Sequence, residues 1–469
     1  MDSSQLKSAL DKIGQSQVLR FSSDPDAESR RKLTAQIQSL NLSQVPELVQ
    51  TYVINKPPVP LPRKIEPVKV NPRKPNPDQQ KLYNDDGQRG KDLLRQGKIA
   101  AFLVAGGQGT RLGYDGPKGE FPVTPIKNKP LFQVFAEQLR AYARDFGKPV
   151  PCYIMTSDVN DAATRDFFKK HDHFGCNERD IFFFQQGMMP AFSMDGKMLL
   201  AAKDSLALSP DGHGGSLRAL DRSGALADMQ KRGIEHLSYF QVDNPLVHCI
   251  DPLFLGLHDI TGSEMSSKTI PKAGPLERVG NFCIGDSRLQ VIEYSDLPDA
   301  LANQRNPDGS LTFNAGSIAI HALRGSFIER LNQGGSLKLP WHRAEKKVAH
   351  IDDAGREINP DKPNAVKLEQ FVFDAIPLAK NAIVYETDRA EEFSPVKNAE
   401  GNDSPATCRR DQVRRAARWL EDAGAKVPRA GAEPDAVIEI SPLYAVNAEQ
   451  LKSRGRPQPV ASRQSLDLE

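Results

Sequence analysis

The residues best suited to chemistry crowd one stretch, Leu103–Val123, with the sequence LVAGGQGTRLGYDGPKGEFPV. Gly106, Gly107 and Gly109 follow an apolar run, and Arg111 and Lys118 place two fixed cations beside them. Glycine has no Cβ, so an anion can lie against the backbone there and meet its N–H groups. Arginine offers phosphate oxygens a planar fork, and lysine offers a compact point charge. Such a set suits a polyphosphate whose charge shifts during a reaction. The spacing separates this loop from two better-known phosphate loops. Nothing in it fits G-x-x-x-x-G-K-[ST]. The dinucleotide pattern G-x-G-x-x-G is met at Gly107 and Gly109, but Leu112 holds the third position and Gly113 comes one residue late. Hydride transfer with a nicotinamide cofactor is therefore disfavoured.

The rest of the composition narrows the chemistry further. Lys and Arg number 62 against 60 Asp and Glu, a net charge of +2. No global field draws the chain to nucleic acid or to an acidic membrane, so an anion site must be local. The five cysteines, Cys152, Cys176, Cys249, Cys283 and Cys408, are scattered and form no C-x-x-C, which argues against a disulfide framework or a structural zinc site. No Ser-His-Asp or Cys-His set stands out. The first residues are polar, and no apolar run approaches the ~20 residues that span a bilayer. A cytoplasmic protein with no membrane or nucleic-acid partner is expected, as a monomer or a weak oligomer.

Positioning the loop requires a scaffold. Short apolar runs, IAAFLVA (99–105), PCYIMTS (151–157), IFFFQQ (181–186) and HLSYFQV (236–242), alternate with helical stretches. Between the first two, Leu131, Val134, Phe135, Leu139, Tyr142 and Phe146 fall on one helical face. Alternating strands and helices predict βαβ units around a sheet covered on both faces. Residues 278–294 read as a hairpin turning at GDS, and 365–380 read as a helix. Residues 1–55 are expected to be helical, and the proline-dense stretch 55–77 to be an extended strap or linker. Residues 410–424 read as helix and 436–446 as extended. The polar tail from about Ser453 is expected to be disordered. The division that follows is a helical segment and connector over 1–95, a catalytic domain over 96–388 and a C-terminal region over 389–469. No internal repeat is present.

The opening stretch resembles the signature of the UDP-sugar pyrophosphorylases, and more narrowly their UDP-N-acetylhexosamine branch. FFFQQGMMPA (182–191), PDGHGG (210–215), QVDNPL (241–246), QVIEYSD (290–296), FNAGSIAIH (313–321), KPNAVKLEQFVFD (362–374) and EEFSPVKN (391–398) resemble its successive blocks. AVIEISPLYAV (436–446) resembles its C-terminal region, so the resemblance covers roughly residues 30–450. It implies an α/β class, a Rossmann-like nucleotidyltransferase mixed sheet with an N-terminal helical segment and a small C-terminal domain. It also implies that UTP and a sugar 1-phosphate become a UDP-sugar and pyrophosphate, with Mg²⁺ as cofactor.

By the same resemblance, Gly106 and Gly107 lie against the uridine, and Arg111, Lys118 and Lys397 contact phosphates. Gln186 reads the uracil edge, since an amide both donates and accepts. Gly212 allows close approach to the base, with His213 beside it. Asp243 ligates Mg²⁺, and Gly280, Glu293 and Asn314 hold the sugar. Two positions depart from the N-acetylhexosamine pattern. His213 stands where asparagine is frequent, as histidine does in relatives acting on glucose 1-phosphate, and Ser317 stands where asparagine is usual. N-Acetylglucosamine 1-phosphate is the expected sugar substrate, with glucose 1-phosphate or several sugars as the alternative. A nucleotide-binding regulator without turnover is the alternative from another class.

Overall fold

The computed structural model describes residues 3–22, 26–58, 61–335, 337–455, 457 and 459–469. The chain forms two compact units from interleaved segments, where the sequence reading drew three consecutive ones. The larger unit takes residues 62–185, 219–337 and 375–469; the smaller takes 1–61, 186–218 and 338–374.

In the larger unit, ten strands among the described residues form one mixed sheet. They are β1 (Ile65–Pro67), β2 (Ile99–Val104), β3 (Cys152–Thr156), β4 (Ile181–Gln185), β5 (His236–Gln241), β6 (Met265–Pro271), β7 (Asn281–Gly285), β8 (Arg288–Ile292), β9 (Ala315–Arg324) and β10 (Val384–Glu386). The main order is β1-β7-β9-β5-β2-β3-β4; β6 pairs with β9 and β10, and β8 pairs with β7. β5, β2, β3 and β4 are mutually parallel, with Phe102 opposite Tyr239 and Tyr153. Every residue of β3, and all of β2 but Val104, is buried. These are the continuous apolar strands that a sheet covered on both faces requires. The helix Leu131–Phe146 buries Leu131, Phe132, Val134, Phe135, Leu139 and Tyr142 in the same core as Leu103 and Ile154. β7 and β8 are the expected hairpin, with Asn281 opposite Ile292.

The proline-dense segment is tied down from Pro62 onward. β1 pairs antiparallel with β7, and Asn71 bridges Tyr385. The helix Pro405–Asp422 matches expectation and packs Trp419 and Leu420 against Ile438. The tail differs from expectation. Gln464–Leu468 forms a strand parallel to Ala436–Ile440, so the residues after Ser453 are not uniformly disordered. Arg456 and Gln458 fall outside the described residues.

The smaller unit packs its N-terminal helices through Leu6, Leu10, Leu33, Ile37 and Val53. These meet Phe192, Met198, Leu200, Val366 and Leu368. The stretch 365–380 is not the expected helix. Ala365–Glu369 is a strand between His342–Lys346 and Phe192–Ser193, and Val372–Leu378 is a 3₁₀ segment. Ala365, Val366 and Leu368 point into cores while Lys367 and Glu369 are half-buried. Pairing with two neighbours overrides the helix propensity of Leu, Glu and Gln.

Candidate functional site

Because β2 to β5 run parallel, their carboxyl ends lie along one edge, where open α/β sheets bind ligands. β2 delivers the glycine loop to that edge, and β5 delivers Asp243. The loop is pinned by its own backbone: the Gly109 N–H donates to Gly116 O (2.8 Å) and the Lys118 N–H to Gly107 O (3.1 Å). The buried Asn160 amide donates to Ala105 O (2.9 Å) and Gly107 O (3.3 Å). Two 3₁₀ turns, Thr110–Leu112 and Lys118–Glu120, follow; the next α-helix starts only at Leu131. The loop therefore offers local amides and cations, not the N-terminus of an α-helix. Gly107 is exposed, and the position its Cβ would take is open space.

Lys118 lies within electrostatic reach of Asp243, Arg111 and Lys397. Burial is the main force holding its ammonium below the ordinary lysine range. Asp243 opposes that shift, and the Arg111 and Lys397 cations add to it. Three cations and one carboxylate within reach of one another through Lys118 sum to a net positive charge, complementary to a polyphosphate. Lys397 comes from the segment after Phe393, and its Nζ lies 5.8 Å from that ring's centroid. The Val396 N–H donates to Asp243 O (2.7 Å), so backbone pairing sets Lys397 next to Asp243. Among the described residues no three His, Cys, Asp or Glu side chains form a ready metal cage. A lone carboxylate fits Mg²⁺, which keeps several waters and shares itself with substrate phosphates.

The expected sugar residues meet at the base of the β7–β8 hairpin. One step beyond the Asn281–Ile292 pair, Gly280 faces Glu293. A Cβ on Gly280 would stand 2.5 Å from Val291 Cγ1 and 3.4 Å from Glu293 Oε1. The Ser317 N–H donates to Gly280 O (2.8 Å). Asn314 accepts the Lys272 N–H at both its backbone oxygen (3.0 Å) and its side-chain Oδ1 (2.9 Å). Lys272, itself buried, donates through Nζ to Asn281 Oδ1 (2.6 Å).

The expected base-reading residues gather in the smaller unit. Met188–Pro190 pairs antiparallel with Leu208–Pro210, and Asp211 N donates to Gly187 O (3.0 Å). Continuing that register brings Gln186, 9% exposed, opposite Gly212. Gly212 has φ +87°, and a Cβ there would sit 2.4 Å from Gln370 O, so only glycine fits. His213 stacks on Phe371, with centroids 5.2 Å apart at 15°, and lies near Phe373. Its Nδ1 accepts the Val372 N–H (3.1 Å), which puts the proton of the neutral ring on Nε2. Burial, helped by the His342 charge, pushes the imidazole down to about 4, so His213 is neutral near pH 7. One of its two ring nitrogens is thus spent on the fold.

Three residues that fix the segment carrying Lys397 escaped the sequence reading: Asn244, Lys268 and Glu392. A lysine inside the otherwise uncharged strand β6 was the one visible sign, and its partner Glu392 lies 124 residues away.

A mixed sheet with a glycine loop, a cation trio and a carboxylate at one edge is the architecture of a nucleotidyltransferase. Residues 49–412 match the model of the UTP–glucose-1-phosphate uridylyltransferase family, and the chain belongs to that family. It is 35% identical to the UDP-N-acetylhexosamine pyrophosphorylase-like protein 1 of Mus musculus, over 96% of this chain and 95% of the mouse protein. It is 38% identical to the UDP-N-acetylglucosamine pyrophosphorylase of Saccharomyces cerevisiae, over 79% of each. The crystal structure of the uridine diphosphate N-acetylglucosamine pyrophosphorylase of Trypanosoma brucei, solved with an inhibitor, superposes with a TM-score of 0.79. That match has 25% identity and covers 95% of this chain and 93% of the other.

Proposed function

We propose that the protein is a uridylyltransferase that converts UTP and N-acetylglucosamine 1-phosphate into UDP-N-acetylglucosamine and pyrophosphate. The observation that carries this reading is the gathering of Arg111, Lys397 and Asp243 within electrostatic reach of Lys118 at the carboxyl edge of the sheet. In the reaction, a phosphate oxygen of the sugar 1-phosphate attacks the α-phosphorus of UTP. The bond to the β-phosphate oxygen breaks, and that electron pair leaves with pyrophosphate. Both reactants are anions, so the protein's contribution is alignment and charge neutralisation.

Arg111, Lys118 and Lys397 hold the phosphates and stabilise charge that builds on the departing pyrophosphate. Asp243 would hold Mg²⁺ together with phosphate oxygens of UTP. When bound, the metal supplies charge neutralisation and orientation of the phosphates. Gly106 and Gly107 lie against the uridine, and Gln186 and Gly212 read the uracil, with His213 supporting that wall. Gly280, Glu293 and Asn314 hold the sugar. The relatives named for N-acetylated hexosamines favour that sugar. Among the described residues no helix is long and apolar enough to cross a membrane.

The test is a panel of hexose 1-phosphates with UTP and Mg²⁺, reading released pyrophosphate. N-Acetylglucosamine 1-phosphate should give the highest kcat/KM. Absence of pyrophosphate with every sugar phosphate would overturn the reading, and a higher kcat/KM for glucose 1-phosphate would move it to that substrate.

A further inference from the structure

Asn244 is 5% exposed and follows Asp243 directly. Its Nδ2 donates to Glu392 O (2.7 Å), and its Oδ1 accepts the Ser394 N–H (3.1 Å). One side chain thus brackets the backbone of 392–394 on both its acceptor and its donor side, as a paired strand would. Two residues on, Val396 N–H closes onto Asp243 O (2.7 Å). Together these bonds lace the segment carrying Lys397 to the turn carrying Asp243.

The far end of that segment is equally fixed. The Glu392 carboxylate, 2% exposed, accepts Lys268 Nζ at both oxygens (2.6 and 2.7 Å), Thr387 Oγ1 (2.7 Å) and the His248 N–H (3.3 Å). Lys268, 1% exposed, also meets Asp251 Oδ2 at 2.7 Å. Ser394 Oγ donates to Asp411 Oδ2 (2.9 Å). The segment is therefore anchored at Glu392, bracketed by Asn244 and aimed at Asp243. The buried Asn244 amide thus has one donor and one acceptor engaged by residues 392 and 394.

From this geometry we propose that Asn244 is a positioning residue, which registers Lys397 against Asp243 so that cation and carboxylate act on the same phosphates. The proposal rests on the uridylyltransferase reading for its chemistry and on the bracket alone for its structure. Misplacing a charged group by about 1 Å costs on the order of 100-fold in rate. Asn244→Ala should therefore lower kcat by roughly 10- to 100-fold and leave KM for the sugar phosphate within about threefold. Asn244→Asp keeps the acceptor for Ser394 N–H but sets a buried carboxylate oxygen against Glu392 O, so its loss should be at least as large as that of Asn244→Ala.

The deciding measurement is a double-mutant cycle with Lys397→Ala. If Asn244 acts through Lys397, the double variant should be no slower than Lys397→Ala alone. Losses that multiply would overturn the proposal. A second readout needs no turnover: acetylation of Lys397, followed by mass spectrometry in the presence and absence of UTP and Mg²⁺. Nucleotide should protect Lys397 in the wild type and fail to do so in Asn244→Ala, with both proteins melting as folded. Identical Lys397 labelling patterns in the two proteins would overturn the proposal, whatever the wild-type turnover. A wild type that releases no pyrophosphate but loses Lys397 protection on Asn244→Ala would overturn the enzyme reading and leave the bracket standing. Should Asn244→Ala fail to fold, the same two readouts apply to Asn244→Asp.

Discussion

Replacing Lys268 by methionine tests how the segment carrying Lys397 is held. Lys268 lies within a buried set with Glu392 and Asp251, its Nζ at 2.6 to 2.7 Å from both carboxylates. Burial pushes its ammonium pKa down, but Asp251 and Glu392 outweigh it, and the net shift is upward. Burial raises the Asp251 pKa, but Lys268 reverses that and holds the carboxyl below its usual range. Methionine fills nearly the same volume, so the substitution removes charge with little cavity. It leaves the buried Glu392 carboxylate and the partly exposed Asp251 carboxylate without their shared cation, a defect that costs about 3–5 kcal/mol for a fully buried charge and less where solvent reaches it. The loss of the Lys268 ammonium over the Phe254 ring, 5.4 Å away, adds about 1 kcal/mol or less.

The pH dependence has a distinct sign. In the wild type, the raised Lys268 pKa stabilises below the unfolded lysine pKa, and this is lost as pH rises through the folded value. The depressed Asp251 pKa stabilises above the unfolded aspartate pKa and is lost as pH falls through the folded value. In Lys268→Met the uncompensated carboxylates prefer to hold a proton, so the deficit should be smaller near pH ~5 than near pH ~8. The assay is denaturant unfolding of both proteins at the two pH values, with pyrophosphate release at ~pH 8 in parallel. Activity should fall with stability, because Glu392 anchors the Lys397 segment. A deficit under about 1 kcal/mol, or one independent of pH, would refute the reasoning.

Lys118→Ala should lower kcat by roughly 100-fold or more, with the unfolding midpoint barely moved, if its role is the proposed one on the phosphates; steady-state kinetics beside a thermal melt checks this. His213 should contribute to acid sensitivity. Its folded pKa of about 4 lies below the ordinary 6.5, so the unfolded chain takes a proton that the folded one refuses as pH drops from about 6.5 toward 4. Stability should fall across that window by up to roughly 3 kcal/mol from this group, and His213→Asn should flatten that part of the unfolding-versus-pH curve. Since Nδ1 is spent on Val372 N–H, the same variant should change the ratio of kcat/KM for N-acetylglucosamine 1-phosphate over glucose 1-phosphate by less than about threefold.

The sequence conveyed the larger unit well because its strands are apolar on both faces. Ile99–Val104 and Cys152–Thr156 carry that signal in their own residues. The glycine loop was legible as a loop after a strand because its glycine spacing is local. The strand Ala365–Glu369 was misread because alanine and glutamate mute its period of two, and its partners lie far off in the chain. The strand Gln464–Leu468 was missed because its polar residues acquire order only by pairing with Ala436–Ile440. Asn244 and Glu392 were invisible for a similar reason: their role exists only after residues about 150 apart in sequence meet.

The interleaving of the smaller unit has a consequence for synthesis. Its core joins Leu6, Leu10, Leu33 and Ile37 to Val366 and Leu368. The helices made first therefore leave the ribosome without the strand that covers them. At about 5–20 residues per second, the stretch between Leu61 and Lys338 keeps them waiting roughly 15–55 s. During that interval these leucines and isoleucines have at most Phe192, Met198 and Leu200 to cover them, and lack Val366 and Leu368. A chaperone that shelters these helices should raise the yield of folded protein more than one that acts on the completed chain.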